Sequence, residues 1–144
     1  WFSDPTISAY VSYAKGQLSI DGLKKYVEEK YLHPEVLFFG IYNKVNMQHI
    51  GNIKFEPIDF KEGYAVLGIM IGELGWRGKK VFSEISTVLE QILSKFKIKK
   101  IYLGVDKANS AALVAYKKSG YVIDEKNFLQ ADLEKSFCLV KELI

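Results

Sequence analysis

A mixed α/β fold is predicted by two patterns in the sequence. In the first, an apolar strand from Tyr64 to Ile71 leads through a glycine-rich turn into a long amphipathic helix and then a second apolar strand, Ile101 to Val105. The helix is indicated by one apolar stripe: Val81, Ile85, Val88, Leu89, Ile92, Leu93 and Phe96. Because a helix crosses between them, the two strands are predicted to be parallel. In the second pattern, two apolar segments joined by a short turn predict an antiparallel hairpin upstream.

The hairpin begins with a continuous apolar and aromatic run, Val36 to Tyr42, which we interpret as a buried strand. Turn residues follow from Asn43 to Asn46, and Gln48 to Glu56 forms the returning strand. Pro57 to Gly63 is interpreted as a polar loop. Gly68, inside the next strand, predicts a bulge or the close approach of another backbone.

Two helices are predicted before the hairpin. Asp4-Pro5 is a helix-start signal, so a short helix is expected to run to about Tyr13 and to end before Gly16. Ser19 is the expected N-cap of a second helix, which His33-Pro34 ends. Apolar residues recur in it at helical spacing: Ile20, Leu23, Val27 and Tyr31.

The last part of the chain predicts one more helix and two closing strands. Asn109 or Ser110 caps a helix that runs to Lys118, and Gly120 is placed as its left-handed C-terminal residue. The strands are Tyr121 to Glu125 and Glu134 to Val140, joined by a polar stretch from Lys126 to Asp132.

Length and composition predict a single soluble domain spanning residues 1–144. The chain is 49% hydrophobic and carries a net charge of +3 from interspersed lysines, which favours no nucleic-acid partner. One cysteine, Cys138, excludes an internal disulfide and indicates a reducing compartment, so the cytoplasm is expected. No apolar run is long enough for a membrane span. His33 and His49 lack metal-ligand spacing, so no metal is predicted.

The glycine-rich turn is the strongest functional signal. Backbone N–H groups from Gly78 to Phe82, at the positive end of the following helix, are expected to hold an anion such as a pyrophosphate. Arg77 and Lys79 add positive charge. An ordinary strand-to-helix connection with solvated lysines is the alternative.

This turn resembles the acyl-CoA pyrophosphate loop of the GNAT superfamily of N-acetyltransferases, Arg/Gln-x-x-Gly-x-Gly/Ala. The matching positions are Arg77, Gly78, Lys79, Lys80, Val81 and Phe82, with Lys80 and Phe82 replacing the usual small residues. The stretch from Asn109 to Tyr121 is similar to the family's N-x-x-A-x-x-x-Y-x-K-x-G-[FY] block. The sequences IGNI and GIMIG resemble strands of its Rim-like and sugar-modifying branches. The resemblance covers nearly the whole chain.

The resemblance implies a GNAT-like acyltransferase fold: a mostly antiparallel sheet with one splayed parallel strand pair and helices on both faces. It also implies acetyl-CoA as co-substrate, with pantetheine paired to the freed backbone of Ile69, Met70 and Ile71. Tyr116 is the implied general acid toward the departing thiolate, with a core tyrosine as the alternative. Asn109 is expected to cap its helix, beside the cofactor or without contacting it.

The general base is left open by the sequence. Glu73, Asp106, His49 and Glu56 are each possible from their places at strand ends, and each has a structural alternative. Gly104 stands where some relatives carry a catalytic Glu. The family usually has a strand before the Trp-x-x-Asp-Pro position, so we expect a further strand before Trp1.

The predicted activity is direct acetyl transfer, in a ternary complex, to a primary amine of a small molecule or peptide. An amino-sugar nucleotide and a protein N-terminus are the acceptor hypotheses, and a monomer or homodimer is expected. The alternative function is an inactive GNAT-fold module that senses CoA or binds a protein, which Lys80 and Phe82 favour.

Overall fold

A six-stranded sheet forms the centre of the structure, a computed structural model that describes residues 1–8 and 19–144. Its strands are β1 (Leu37–Tyr42), β2 (His49–Asp59), β3 (Tyr64–Ile71), β4 (Lys100–Asp106), β5 (Val122–Ile123) and β6 (Ser136–Glu142). The helices are α1 (Pro5–Ser8), α2 (Ile20–Leu32), α3 (Val81–Lys95) and α4 (Ser110–Lys118), with a 3-10 turn at Leu74–Trp76. The predicted continuation of the first helix to Tyr13, and its end at Gly16, lie outside the described residues.

The strand order is β1-β2-β3-β4-β6-β5. Every neighbouring pair is antiparallel except β3 and β4, which are parallel because α3 crosses between them. This confirms the predicted mixed α/β class with one parallel pair in a mostly antiparallel sheet.

The parallel pair splays toward its carboxyl end. β3 and β4 are in register over only three residue pairs, from Tyr64 opposite Lys100 to Val66 opposite Tyr102. β3 stays paired with β2 as far as Ile71. From Leu67 onward, therefore, the side of β3 that faces β4 is left open between the described strands.

Gly68 is neither a bulge nor a point of backbone approach. It lies in regular register opposite Lys54, and the irregularity in the β2–β3 pairing falls between Phe55 and Ile58. A Cβ built on Gly68 would lie 3.3 Å from Cε of Lys54, so a side chain covers this position.

The main core lies between α3 and one face of the sheet. Alternate strand residues point to opposite faces, and Ile53 and Phe55 of β2 pack in one cluster with Phe82 and Leu93 of α3. Burial of this apolar stripe anchors α3 on the sheet, as its sequence predicts.

The opposite face carries α2, which is held by polar contacts. Lys54 and Glu56 of β2 point to this face, where Glu56 pairs with Lys30 of α2 and, at 3.0 Å, with Lys54. Nζ of Lys54 also donates to the Tyr26 hydroxyl at 3.1 Å, and the Tyr26 ring packs edge-on against Phe38. Helices therefore lie on both faces of the sheet.

The predicted burial of β1 is wrong, because β1 is an edge strand. Of its six residues only Ile41 is buried. In α2, none of the thirteen described residues is buried, and Ile20 and Tyr31 are 74% and 82% exposed. The apolar spacing in α2 predicts the helix correctly but not a buried face. Its N-cap is confirmed, since Oγ of Ser19 accepts from the Gly22 N–H.

The remaining boundaries differ modestly from the predictions. β2 continues through Pro57 to Asp59, where a loop is predicted. β5 is limited to two residues, and β6 is displaced toward the C-terminus, ending at Glu142. α4 ends as predicted, followed by Gly120 with φ 91°. Among the described helices, none is long and apolar enough to cross a membrane.

Candidate functional site

The turn between β3 and α3 is shaped by two left-handed residues. Gly78 has φ 72°, and no described heavy atom lies within 4 Å of a Cβ built on it. Lys80 has φ 62° and is the N-cap residue of α3. A left-handed backbone favours glycine, which explains why the GNAT pattern usually has glycine at the position of Lys80.

The N-terminus of α3 opens onto this turn without a side-chain cap. The N-cap Lys80 makes no capping hydrogen bond in the described structure. The first N–H groups of a helix have no partner inside the helix, and the helix dipole makes this end positive. Lys79 and Lys80 are both exposed there. The turn therefore has open space, free backbone donors and positive charge, which suit an anion.

Phe82 does not occupy the turn. Its side chain is only 7% exposed and packs edge-on against the Tyr116 ring, with 4.9 Å between centroids. Val81 is likewise buried in the core. The large residue at the usual Gly/Ala position thus points inward, away from the turn.

Arg77 braces the turn against its neighbours. Its Nε donates to the Ile71 carbonyl at 3.1 Å, and its Nη1 donates to Oγ1 of Thr6 at 3.0 Å. Oγ1 of Thr6 in turn donates to Oδ1 of Asp4 at 2.7 Å. The guanidinium therefore ties α1 to the end of β3, with its remaining donors left for a ligand.

The splayed part of β3 lies directly before this turn. Ile69, Met70 and Ile71 pair with β2, at Ile53, Asn52 and Gly51 respectively. Met70 is buried, and all three lie beyond the region where β3 pairs with β4. Backbone groups on the open side of a strand are available to hydrogen-bond an extended ligand.

Tyr116 is half-buried in α4 between Phe82 and Tyr121. Burial raises the pKa of Tyr116 to about 12, so its hydroxyl is protonated at neutral pH. No side chain in the described part of the chain hydrogen-bonds to this hydroxyl. Tyr116 is thus a proton donor with its donor unused.

Asn109 performs its predicted structural role. Its Oδ1 accepts from the Ala112 N–H at 3.2 Å, which caps α4. The amide nitrogen of the same side chain is left for other contacts.

The four candidates for the general base lie in three different environments. Glu56 is engaged by two lysines, and Asp106 accepts from the Ala108 N–H at 2.8 Å in a local turn. Glu73 and His49 both contact Trp1, a residue for which the sequence predicts no role in the site. Nε1 of Trp1 donates to Oε1 of Glu73 at 2.8 Å, and its ring contacts the His49 ring at 4.7 Å between centroids.

Two further features bear on the chemistry. Gly104 lies in β4 opposite Cys138, which is buried, and burial raises the pKa of the Cys138 thiol. Within residues 1–8 and 19–144, no group of three or more His, Cys, Asp or Glu side chains is arranged to hold a metal ion.

A sheet that splays before an uncapped helix, with a tyrosine on the next helix, is the arrangement that the resemblance to an acyl-CoA-dependent transferase predicts. The sequence matches the family model of the acetyltransferase (GNAT) domain over residues 1–122. The chain therefore belongs to the GNAT acetyltransferase family. A search of the curated proteins finds no match.

Solved structures share the fold at low identity. A spermidine N-acetyltransferase chimera from Vibrio cholerae superposes with a TM-score of 0.73 at 18% identity, covering 92% of this chain and 84% of that chain. Spermidine N-acetyltransferase from Vibrio cholerae, in complex with CoA and spermine, gives 0.66 at 20% identity and 87% and 76% coverage. A GNAT-family acetyltransferase from Streptococcus pneumoniae gives 0.70 at 18% identity and 94% and 84% coverage.

Family membership makes the protein an acetyl-CoA-dependent N-acetyltransferase, with acetyl-CoA as its acetyl donor. The residues present fit this donor. The open space at Gly78 and the uncapped end of α3 suit the pyrophosphate. The open side of β3 suits the amide-containing pantetheine arm.

Proposed function

We propose that the protein transfers an acetyl group from acetyl-CoA directly to a primary amine of a small molecule, in a ternary complex. The observation that carries this proposal is the splay of β3 from β4 beside the uncapped N-terminus of α3. The two features together offer backbone hydrogen bonds to pantetheine and to a pyrophosphate at adjacent points along the chain.

Specific residues are assigned to the donor. Backbone N–H groups from Gly78 to Phe82 hold the pyrophosphate, and Lys79 adds charge. Ile69, Met70 and Ile71 pair with the pantetheine arm through the open side of β3. In this proposal Lys80, Val81 and Phe82 contribute only their backbone N–H groups. The side chains of Val81 and Phe82 are buried in the core.

Tyr116 acts as the general acid. During transfer the amine nitrogen bonds to the acetyl carbon, the carbon–sulfur bond breaks, and the Tyr116 hydroxyl gives its proton to the sulfur. The amine loses its own proton to a base or to water. A tyrosine with a pKa of about 12 is protonated in the resting enzyme, as this role requires. Most of the acceleration comes from positioning the two substrates.

Three classes of amine are candidates for the acceptor. A solved structure of the same fold contains spermine with CoA, which supports a small-molecule amine. An amino-sugar nucleotide is a second acceptor hypothesis, based on the strand sequences that resemble sugar-modifying relatives, and a protein N-terminus is a third.

The test is acetylation of a panel of primary amines: a diamine, a monoamine, an amino-sugar nucleotide and a short peptide. Release of free CoA thiol and the mass of the product report the reaction. The expected result is acetyl-CoA-dependent turnover of at least one amine, lowered strongly by Tyr116→Phe. Absence of turnover for every amine, in a folded protein that binds acetyl-CoA, would favour the inactive CoA-sensing module.

A module that has lost turnover and binds only a protein is favoured by one observation. Arg77 commits two of its donors to Ile71 and Thr6, which leaves fewer for a pyrophosphate. Melting temperatures with and without acetyl-CoA separate a module that binds CoA from one that binds only a protein, because a ligand bound by the native state alone must raise the melting temperature.

A further inference from the structure

Lys54 lies across the point where β3 and β4 separate. Gly68 of β3 is directly opposite Lys54 in the β2–β3 pairing. A Cβ built on Gly68 would lie 3.3 Å from Cε and 3.4 Å from Cγ of Lys54, so the lysine side chain runs over this glycine. β4 pairs with β3 only as far as Val66, which makes Gly68 the second residue of the open part of β3.

The acetyl group is expected at this same point, a step that rests on the proposed function. The pyrophosphate is assigned to the turn from Gly78 to Phe82 and the pantetheine arm to Ile69 to Ile71, so the donor runs from the turn back along β3 toward its paired end. The space between the two strands closes at Val66. The thioester, at the far end of the arm, therefore lies beside Leu67 and Gly68.

An acceptor approaches this point from the face of the sheet that carries α2. The opposite face is filled by the core, in which Leu67 and Val105 pack. Gly104 alternates with the buried residues Leu103 and Val105 in β4, so its position is on the α2 face. It is exposed, and no described heavy atom lies within 4 Å of a Cβ built on it. Open space therefore lies on the α2 face of β4, across the gap between the strands from Lys54.

The side chains around Lys54 carry one more positive charge than negative. Glu56 pairs with both Lys30 and Lys54, so two ammonium groups share one carboxylate. Residues 9–18 contain no Asp or Glu. Burial would lower the pKa of Lys54, but its hydrogen bonds with Tyr26 and Glu56 outweigh burial and raise that pKa above its ordinary value. Lys54 is therefore charged at neutral pH.

We propose that Lys54, with Lys30 beside it, binds an anionic group of the acceptor, a carboxylate or a phosphate, next to the amine that is acetylated. An ammonium group has three N–H donors, and the oxygens of such anions accept strong, charge-assisted hydrogen bonds from it. The side chains of Lys30 and Lys54 are each only 22% exposed, so their attraction for an anion is screened less than that of surface charges. Neighbouring strands lie about 4.8 Å apart, which puts the anionic group and the amine a few bonds from each other.

The acceptor class is therefore a short amine that carries an oxyanion, such as an amino acid or an aminoalkyl phosphate. The attacking amine must be neutral when it reacts, and nearby positive charge favours the neutral form over the ammonium form. A diamine or polyamine brings a second ammonium group, which the two lysines repel.

The experiment is an NMR titration of the isotope-labelled, CoA-saturated protein with four amines of similar length. Two carry an oxyanion: 3-aminopropanoate has a carboxylate and 2-aminoethyl phosphate has a phosphate, so these two arms distinguish the sources of the anion. 1-Aminopropane has no second charge, and 1,3-diaminopropane has a second ammonium group. The wild type is expected to bind at least one anionic amine about tenfold more tightly than 1-aminopropane, and to bind the diamine no more tightly than 1-aminopropane.

Two variants change the charge in opposite directions. Lys54→Met keeps an unbranched side chain over Gly68 and removes the ammonium group, so the preference for the anionic amine is expected to disappear. Glu56→Gln removes the shared carboxylate and is expected to strengthen the preference about threefold, whereas a merely structural role of the cluster would weaken it in both variants. The matched control is Lys100→Met, because Lys100 pairs with Glu142 on the same face of the sheet but at the paired end of β3 and β4. This control is expected to keep the preference.

A wild type that binds the anionic amines no more tightly than 1-aminopropane, binds none of the four amines, or prefers the diamine would overturn the inference. So would a preference that survives in Lys54→Met or that falls in Glu56→Gln. Titration of the same samples with CoA tests the proposed function separately. CoA binding without a preference for an anionic amine removes only the acceptor subsite, whereas a wild type that does not bind CoA removes the donor assignment.

Discussion

The two faces of the sheet are built in different ways. On one face, α3 is anchored in the core by four buried residues: Val81, Phe82, Ser86 and Leu93. On the other, none of the thirteen described residues of α2 is buried, and its side chains reach the sheet through hydrogen bonds, an ion pair and one aromatic contact. The helix that follows the Gly78–Phe82 turn is thus fixed by apolar packing, while the helix opposite is held mainly by polar contacts.

The largest predicted effect compares truncations to alanine on the two faces. Phe82→Ala removes a buried ring from the main core and is expected to lower the free energy of unfolding by about 3–5 kcal/mol. Val27→Ala in α2, at a position 48% exposed, is expected to change it by no more than about 0.5 kcal/mol. Urea denaturation measures both. Similar losses for the two variants would contradict the difference between the faces.

Tyr116→Phe tests chemistry on the α3 side without disturbing packing. The variant keeps the ring between Phe82 and Tyr121 and removes only the proton donor. We expect kcat to fall about 100-fold or more, while the affinity for CoA stays within about twofold. Because the pKa of Tyr116 is about 12, the wild-type rate should show no loss from tyrosine ionisation at neutral or mildly alkaline pH. Unchanged kcat would make Tyr116 a core residue.

Glu56→Gln tests the polar attachment of α2. Burial alone would raise the pKa of Glu56, but hydrogen bonds from Lys30 and Lys54 outweigh it and hold that pKa below its ordinary value. A carboxylate with a lowered pKa in the folded state adds stability above its unfolded pKa, 4.5, and this stability is lost as the pH falls through the folded pKa.

The variant is therefore expected to be less stable by about 1 kcal/mol at pH 7, and to lose less stability than the wild type on acidification. Unfolding free energies across the acidic range measure this effect, with Glu62→Gln as an exposed control. A variant with the same acid dependence as the wild type would show that the Lys30–Glu56–Lys54 contacts do not stabilise the fold.

The smallest effect concerns the turn that we propose binds the acetyl donor. Lys80→Gly relieves a left-handed backbone worth about 1–2 kcal/mol, and added flexibility of the unfolded chain offsets part of that gain. We expect a net stabilisation of about 0.5 kcal/mol in thermal unfolding, with CoA affinity retained because the backbone N–H remains. A destabilised variant would mean that the Lys80 side chain has a structural role.

The sequence predicted best where neighbours along the chain decide the structure. The bounds of β3, the start of α3 at Val81 and the end of α4 at Lys118 agree with the structure, because strand alternation, the apolar stripe and the terminal glycine are local signals. The GNAT assignment rested on two such local blocks and is confirmed by the family match.

The prediction failed where the structure depends on strand order in the sheet or on contacts between residues far apart in the sequence. The run Val36 to Tyr42 looks like a buried strand, yet β1 is at the edge of the sheet, which no local pattern shows. The contact of Trp1 with Glu73 joins residues 72 positions apart, and it depends on the missing side chain of Gly72. A glycine directly after a buried strand was the only signal that could have indicated it.

The most direct test of the account is calorimetric titration with CoA and with pantetheine, which lacks the pyrophosphate and nucleotide. CoA is expected to bind saturably, one to one. Pantetheine is expected to bind more than about tenfold more weakly, because the backbone donors from Gly78 to Phe82 then have no anion to hold. Equal affinity for the two ligands, or no binding of CoA to protein shown by circular dichroism to be folded, would contradict the assignment of this turn as the donor site.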